Sequence, residues 1–309
     1  MRSALIGYTG FVGGNLKLQY DFTEMYNSKN IQDMIGKSFD LCICAGVKAQ
    51  KWPANQNPEK DWADIQSLIN VLEKTEIKKF VLISTVDVYS QTEGVDESSD
   101  IETNKLQPYG LNRYRLEEWV REHFEDHLIL RLPGLVGQNI KKNFIHDILH
   151  PVPALFNELF FDSLKERVEE SDLCIIQKYY PKVGINYTWN LEDSNELRSV
   201  LNKYNITSLM FTDSEDVFQY YDLSELKNHI EVSFNNNIRT LNLVTEPMSA
   251  KELYYFLFEK EFDNNLPRDK QYYNLKSKYA KYFNGDNGYL HSKLEMFERI
   301  KLFIEGYAK

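Results

Sequence analysis

Residues 5–14 read Leu5-Ile6-Gly7-Tyr8-Thr9-Gly10-Phe11-Val12-Gly13-Gly14. An apolar run ends at the first glycine, and a segment of helical period opens after the second. Gly7, Gly10 and Gly13 therefore fall in a G-x-x-G-x-x-G spacing between a strand and a helix. Small residues are wanted there for three reasons: the tight turn, the close approach of a pyrophosphate to the backbone, and the packing of helix on strand. The unpaired N–H groups of the helix start then receive the phosphate charge. A tight βα turn without ligand is the plain alternative for glycines taken alone. The strand before and the helix after favour a dinucleotide site.

Outward from this turn, short apolar runs alternate with helical ones. Strands are expected at 2–7, 22–26, 39–45, 79–85 and 127–132, and helices at 11–19, 28–35, 58–75 and 108–124. Several strand runs are continuously apolar, as in strands buried on both faces of a parallel sheet. The alternation predicts βαβ units, hence an α/β fold with a Rossmann-like doubly wound parallel sheet. In 58–75, Trp62, Ile65, Leu68, Ile69 and Leu72 form one apolar stripe behind a first-turn Pro58. Past residue 150 the pattern changes to long charged helical stretches over 151–212. A strand returns at 238–244, a helix starts from Ser249, and an amphipathic tail helix uses Leu294, Phe297, Ile300 and Ile304. The division expected is 1–150 for a dinucleotide-binding domain, to which the 238–244 strand returns, and 151–309 for a smaller, mostly helical substrate lobe.

The 309 residues carry 36 basic and 46 acidic side chains, a formal net charge of −10. That balance disfavours nonspecific nucleic-acid binding, which needs net positive surface. Cys42, Cys44 and Cys174 fit neither a zinc ligand set nor a disulfide framework, so no metal is expected. His146 and His150 stand i, i+4 without a supporting carboxylate pattern and read as solvated. The strand that begins at once leaves no signal peptide, and no apolar run approaches the ~20 residues of a membrane helix. With free thiols, the expectation is a cytoplasmic protein.

Five segments, in order, resemble the extended short-chain dehydrogenase/reductase family of nucleotide-sugar epimerases, dehydratases and reductases. Gly7-Tyr-Thr9-Gly10-Phe11-Val12-Gly13 resembles its cofactor turn. Cys44-Ala45-Gly46 is similar to the small-residue strand end, and Leu82-Ile-Ser-Thr85-Val-Asp-Val-Tyr89 to the serine/threonine strand. Tyr109-Gly-Leu-Asn-Arg113 stands where the family has Tyr-x-x-x-Lys. Arg131-Leu-Pro133-Gly-Leu-Val-Gly137 is similar to the strand and loop beside the nicotinamide. Weaker echoes follow at 218–223 and 241–247. The resemblance implies an NAD(P) cofactor, a nucleotide-sugar substrate, and pairing as a homodimer through helices 58–75 and 108–124. It makes Gly7, Thr9, Gly10, Phe11, Val12, Gly13, Asn27, Ala45, Gly46, Arg113 and Pro133 cofactor contacts, and Tyr109, Thr85 and Arg113 the catalytic set.

The chemistry of that set is open to physical argument. A phenol of pKa ~10 is a poor base at neutral pH, and a fixed cation beside it favours phenolate. Tyr109 and Arg113, i and i+4 on a helix opened by Pro108, share a face. Thr85 ends its strand at the edge where open α/β sheets bind ligands; Ser84 is the alternative one register away. Arginine is not a conservative exchange for lysine where geometry is tight. Three readings follow: arginine in the lysine's role, altered chemistry, or a dinucleotide-binding protein without turnover. Asn27, Ser28 and Lys29, after the second strand, suit a 2′-phosphate and so NADP; Glu24 would serve NAD if the strand ends early, and an ordinary polar loop is the other reading. The chain is also short for the family, by about one strand–helix unit before Thr85. Lys141 and Lys142 are candidates for a substrate diphosphate, and Trp52 and Trp62 for core anchors or a stacking surface.

Overall fold

The structure, a computed structural model, describes residues 1–191 and 194–307. The first half runs β1 (Ser3–Ile6), α1 (Phe11–Lys17), β2 (Glu24–Tyr26), β3 (Ser38–Cys44), α2 (Lys51–Gln56), α3 (Pro58–Leu72), β4 (Glu76–Thr85), α4 (Pro108–His123), β5 (Asp126–Leu132), β6 (Gly134–Val136) and α5 (Phe144–Leu149). A lobe follows: β7 (Leu155–Asn157), α6 (Glu158–Arg167), α7 (Glu170–Tyr179), β8 (Lys182–Val183), β9 (Asn186–Thr188) and α8 (Asn195–Lys203). The chain then returns through β10 (Val217–Phe218), β11 (Tyr220–Asp222), α9 (Leu226–Asn235), β12 (Thr240–Asn242), β13 (Met248–Ser249), α10 (Ala250–Phe258) and α11 (Lys293–Tyr307).

Six strands form one parallel sheet in the order β2-β1-β3-β4-β5-β12. The apolar runs explain it. All four residues of β1 are buried, as are Leu41 to Cys44 in β3, Phe80 to Leu82 in β4 and Leu128 to Leu132 in β5. On one face lie α3 and α4, with Ile65, Ile69, Leu72, Leu116 and Val120 packed on Cys42, Cys44 and Phe80. On the other, Leu16 of α1 and Leu226 and Ile230 of α9 cover Leu5, Ile43 and Leu130. Each such side chain contributes about 1.5–3 kcal/mol.

β2 is an edge strand, bonded to β1 alone. The helix expected over 28–35 is a single tight turn, Ile31–Met34, from which the chain passes directly to β3. This is the shortening anticipated before Thr85. The order reverses between β1 and β3, and the crevice at their carboxyl ends is where ligands bind in such sheets.

Three local expectations change. The 58–75 helix ends at Leu72, with a separate α2 ahead of it. The 151–212 stretch contains a three-stranded antiparallel sheet, β7-β9-β8, too short to leave an alternating pattern, beside a core of Phe156, Phe161, Leu164, Ile176 and Tyr180. In α11, Leu294 is 62% exposed and the seam is Met296, Phe297 and Ile300. The returning strand is β12, on the free edge of β5, and Ser249 starts α10 with a capping box completed by Glu252.

Asp213 pins the 264–271 segment, and its carboxylate accepts the amides of Leu266 at 2.7 Å and Glu215 at 2.9 Å and pairs with Lys270. Burial raises this carboxyl, but the Leu266 amide, Lys270 and the Glu215 amide outweigh it and hold it at about 2. A depressed carboxyl stabilises the fold above its unfolded pKa of ~4 and loses that contribution as pH falls through the folded value. Asp213→Asn is expected to melt lower at neutral pH and to lose less stability than wild type between about pH 4 and pH 2, followed by circular dichroism.

Candidate active site

The glycine turn closes the carboxyl end of β1. Gly7 sits at φ +86°, and a Cβ there would lie 2.4 Å from the Ala45 carbonyl oxygen. A Cβ on Gly13 would lie 2.2 Å from the Gly7 carbonyl oxygen. The Gly7 amide donates to Tyr26 at 2.7 Å and the Ala45 amide to Ile6 at 2.9 Å. The turn is thereby flanked by the ends of β2 and β3, with Gly46 against Ile6. No side chain caps the start of α1 at Gly10. This bare backbone cradle, with Thr9, Phe11 and Val12 around it, fits a dinucleotide.

Asn27 directly follows β2 and donates from Nδ2 to the Tyr8 hydroxyl at 3.1 Å. Glu24 does not end the strand. It begins β2, at the end away from the crevice, and is held by Arg2, Lys37 and Tyr26. The Lys37 bond and then those of Tyr26 and Arg2 lower its carboxyl to about 2, and its place at the far end of β2, tied to these partners, does not suit a ribose ligand in the crevice. Pro133 separates β5 from β6, and β6 pairs with β11 beside it.

Tyr109, in the first turn of α4, is buried, and its backbone amide donates to Asn55 Oδ1 of α2 at 2.9 Å. Gly110 lets α4 approach the 86–88 turn, since a Cβ there would stand 2.0 Å from the Asp87 carbonyl oxygen. The rotation of α4 is fixed by Glu117, fully buried, which takes Arg131 of β5 at 2.6 Å and Ser84 Oγ at 2.6 Å. Ser84 is thus spent on that network, and Thr85 is the residue beside Tyr109. The Thr85 hydroxyl is near enough to the phenol to favour its ionised form.

Thr85 also donates to Asp87 Oδ2 at 2.9 Å, and Asp87 Oδ1 receives Lys51 Nζ at 2.6 Å. A chain of hydrogen bonds therefore leads from Thr85, beside the buried phenol, to an ammonium whose side chain is 51% exposed. Burial pulls Lys51 down, but Asp87 and then Tyr273 more than offset it, and its pKa is raised. Asp87 and Lys51 were not singled out from sequence. Asp87 lay inside the quoted Thr85 segment, and its two-residue spacing from Thr85 was the available signal. Lys51 had none, because α2 reaches the site only through the fold.

Arg113 faces the phenol and is also engaged elsewhere in the chain. Its guanidinium lies 4.0 Å from the Tyr109 ring centroid, but its NH1 pairs with Asp61 of α3 and its NH2 donates to the Lys48 carbonyl. Among the described residues, Nε is buried without a partner, a donor that a ribose hydroxyl would satisfy. The expected drop of the phenol toward phenolate does not occur. Burial raises Tyr109, Arg113 lowers it and Asp87 raises it again, so that its pKa is raised overall.

Of the remaining candidates, Lys142 bonds the Ala49 carbonyl at 2.6 Å and so bridges the loops after β6 and β3. Trp62 packs against the α3–α4 core, whereas Trp52 is exposed and anchors nothing. His146 and His150 stack on each other, with Asp147 and Tyr307 as their polar partners.

The sheet, with the glycine turn at its switch point and Thr85 and Tyr109 at its carboxyl edge, is a Rossmann-like doubly wound α/β architecture. Residues 15–159, a little under half of the chain, match the family described as NAD dependent epimerase/dehydratase family. UDP-glucose 4-epimerase of Pisum sativum is 31% identical over 119 residues, 36% of this chain and 34% of the relative. The chain thus spans about a third of the length of the curated relatives it matches. Among solved structures, UDP-glucose 4-epimerase of Thermotoga maritima superposes at TM-score 0.61 with 14% identity, over 100% of this chain and 99% of the other. The dTDP-4-dehydrorhamnose reductase of Bacillus anthracis in complex with NADP gives 0.59 with 16% identity, over 99% and 98%. These two likenesses show the fold.

Proposed function

We propose that this chain is an NAD(P)-dependent enzyme of nucleotide-activated sugars, working as a keto-reductase with Tyr109 as its acid. The observation that carries the reading is the phenol itself: buried at the sheet's ligand edge, beside a Thr85 hydroxyl that is hydrogen-bonded to Asp87 and through it to Lys51. A nicotinamide dinucleotide held at the glycine turn would supply the hydride. Gly7 to Gly13, Asn27, Ala45, Gly46, Pro133 and Arg113 Nε are the residues to hold the dinucleotide.

On substrate binding the Thr85 hydroxyl turns from Asp87 to donate to the sugar carbonyl oxygen, and Tyr109 donates its proton to that oxygen as it becomes a hydroxyl. The phenol is recharged by a shift along the Thr85 hydroxyl and Asp87 carboxylate from Lys51, which regains its proton from water. NADP is the preferred cofactor, since β2 is followed by Asn27, Ser28 and Lys29, with no carboxylate at its crevice end. The names of the similar proteins support a nucleotide sugar as substrate class. They also favour a second reading, 4-epimerisation, in which the same groups work in both directions. A homodimer through α3 and α4 belongs to the proposal and is checked by sedimentation equilibrium.

The test incubates the protein with NADPH or NADH and dTDP-4-keto sugars, and separately with UDP-glucose. Cofactor oxidation in step with keto-sugar loss supports the reductase. Conversion of UDP-glucose to its 4-epimer without net oxidation supports the second reading, and neither reaction overturns both. On an active substrate, Lys51→Met and Asp87→Asn are expected to lower kcat roughly tenfold with KM held. An added primary amine should partly restore Lys51→Met, an outcome that a packing defect would not give.

A further inference from the structure

Away from the glycine turn, a second group of chemistry-bearing side chains meets where the end of the chain folds back against α9. Glu225 stands just before α9 and His229 one turn inside it, so both project from one face. His291 comes from the loop that precedes α11. One donor atom from each of the three lies within 4.8 Å of the others. His229 and His291 are buried, and a cavity of about 380 Å³ opens over them, with Glu295, Asn284 and Arg299 also on its wall.

Each donor is oriented by a partner of its own. The Tyr221 hydroxyl bonds His229 Nδ1 at 2.8 Å, which leaves the other ring nitrogen as the ligand atom. Arg299 donates to Glu225 Oε1 at 2.9 Å, which leaves Oε2, the atom hydrogen-bonded to His291 Nε2. Outer partners of this kind fix the tautomer of a ligating imidazole and the angle of a ligating carboxylate. Charge favours a cation as well. Glu225, Asp222 and Glu295 face one guanidinium, Arg299, which is 3.4 Å from Asp222.

We infer that Glu225, His229 and His291 bind one divalent transition-metal ion. Two imidazoles and a carboxylate are a zinc ligand set, with a fourth position open to water from the cavity. The ion replaces the hydrogen shared between His291 and Glu225 and ties the α11 segment to α9. None of the residues assigned to the nucleotide cleft takes part, so the site stands or falls independently of the reductase reading.

The probe is Co²⁺ added to chelator-treated full-length protein, followed by visible absorption and by metal analysis after dialysis. One tightly held equivalent with the intense bands of tetrahedral cobalt, displaced by Zn²⁺, is expected. Glu225→Gln and His291→Gln should each abolish it, while a His146→Gln, His150→Gln double variant keeps it. Tyr221→Phe is expected to weaken binding by roughly 10–100-fold. Zn²⁺ should raise the melting midpoint of wild type but not of His291→Gln, whose metal-free circular dichroism verifies the fold. Failure to hold an equivalent, binding that survives His291→Gln, or loss in the His146/His150 double variant overturns the site.

Discussion

Replacing Tyr109 by phenylalanine is expected to reduce kcat by roughly 10²–10⁴-fold, the range a positioned acid supplies. The substitution is unusually clean here. A phenyl ring keeps the buried packing of α4 and the face on which Arg113 lies. The Asn55 bond is made by the Tyr109 backbone and is untouched. Only the phenol hydroxyl is lost, a change of about 1 kcal/mol or less in stability. Reduced-nicotinamide fluorescence should therefore report unchanged cofactor affinity while turnover collapses. A variant as active as wild type removes Tyr109 from the chemistry. A wild type that binds nicotinamide and turns over no nucleotide sugar returns the chain to the binding-only reading.

What could be read from the sequence divides along a physical line. Signals local in sequence were legible: the glycine turn, the continuous apolar strands, Pro108 opening the helix of Tyr109, and Ser249 starting α10. The missing unit was legible too, because a gap in a known order is a local fact, and β2 at the sheet edge is its structural form. The site's polar wiring was not. Lys51 meets Asp87 only because α2 packs at the foot of α4, and the partners of Arg113 come from Asp61 and Lys48, more than fifty positions away. Sequence spacing gives which side chains share a helix face, and says nothing of what that face meets. Glu24 shows the same limit: the strand was found, but which end its carboxylate occupied depended on where β2 begins.

Arg113 is where those two kinds of information conflict, and it carries the second large expectation. Its side chain is 5% exposed and that of Asp61 10%, so the pair is a buried one. Removing one partner of such a pair costs about 3–5 kcal/mol, because the other charge is left uncompensated. Arg113→Met is therefore expected to lower the melting midpoint by on the order of 10 °C. Asn112, which also donates to Asp61 at 2.9 Å, cannot neutralise it. Arg113→Lys brings in the lysine of the Tyr-x-x-x-Lys pattern, yet an ammonium has no planar fork to span Asp61 and the Lys48 carbonyl beside the Tyr109 ring. It too should melt lower, without a gain in kcat. Lys51→Met gives the opposite pattern. Its ion pair with Asp87 is half-exposed and worth at most about 1 kcal/mol, so stability holds while turnover falls. The two cations near the phenol are thus separable by one pair of measurements, midpoint and kcat. A folded Arg113→Lys that turns over faster than wild type would instead make the arginine a restraint on the chemistry, and Asp61 the residue that holds it there.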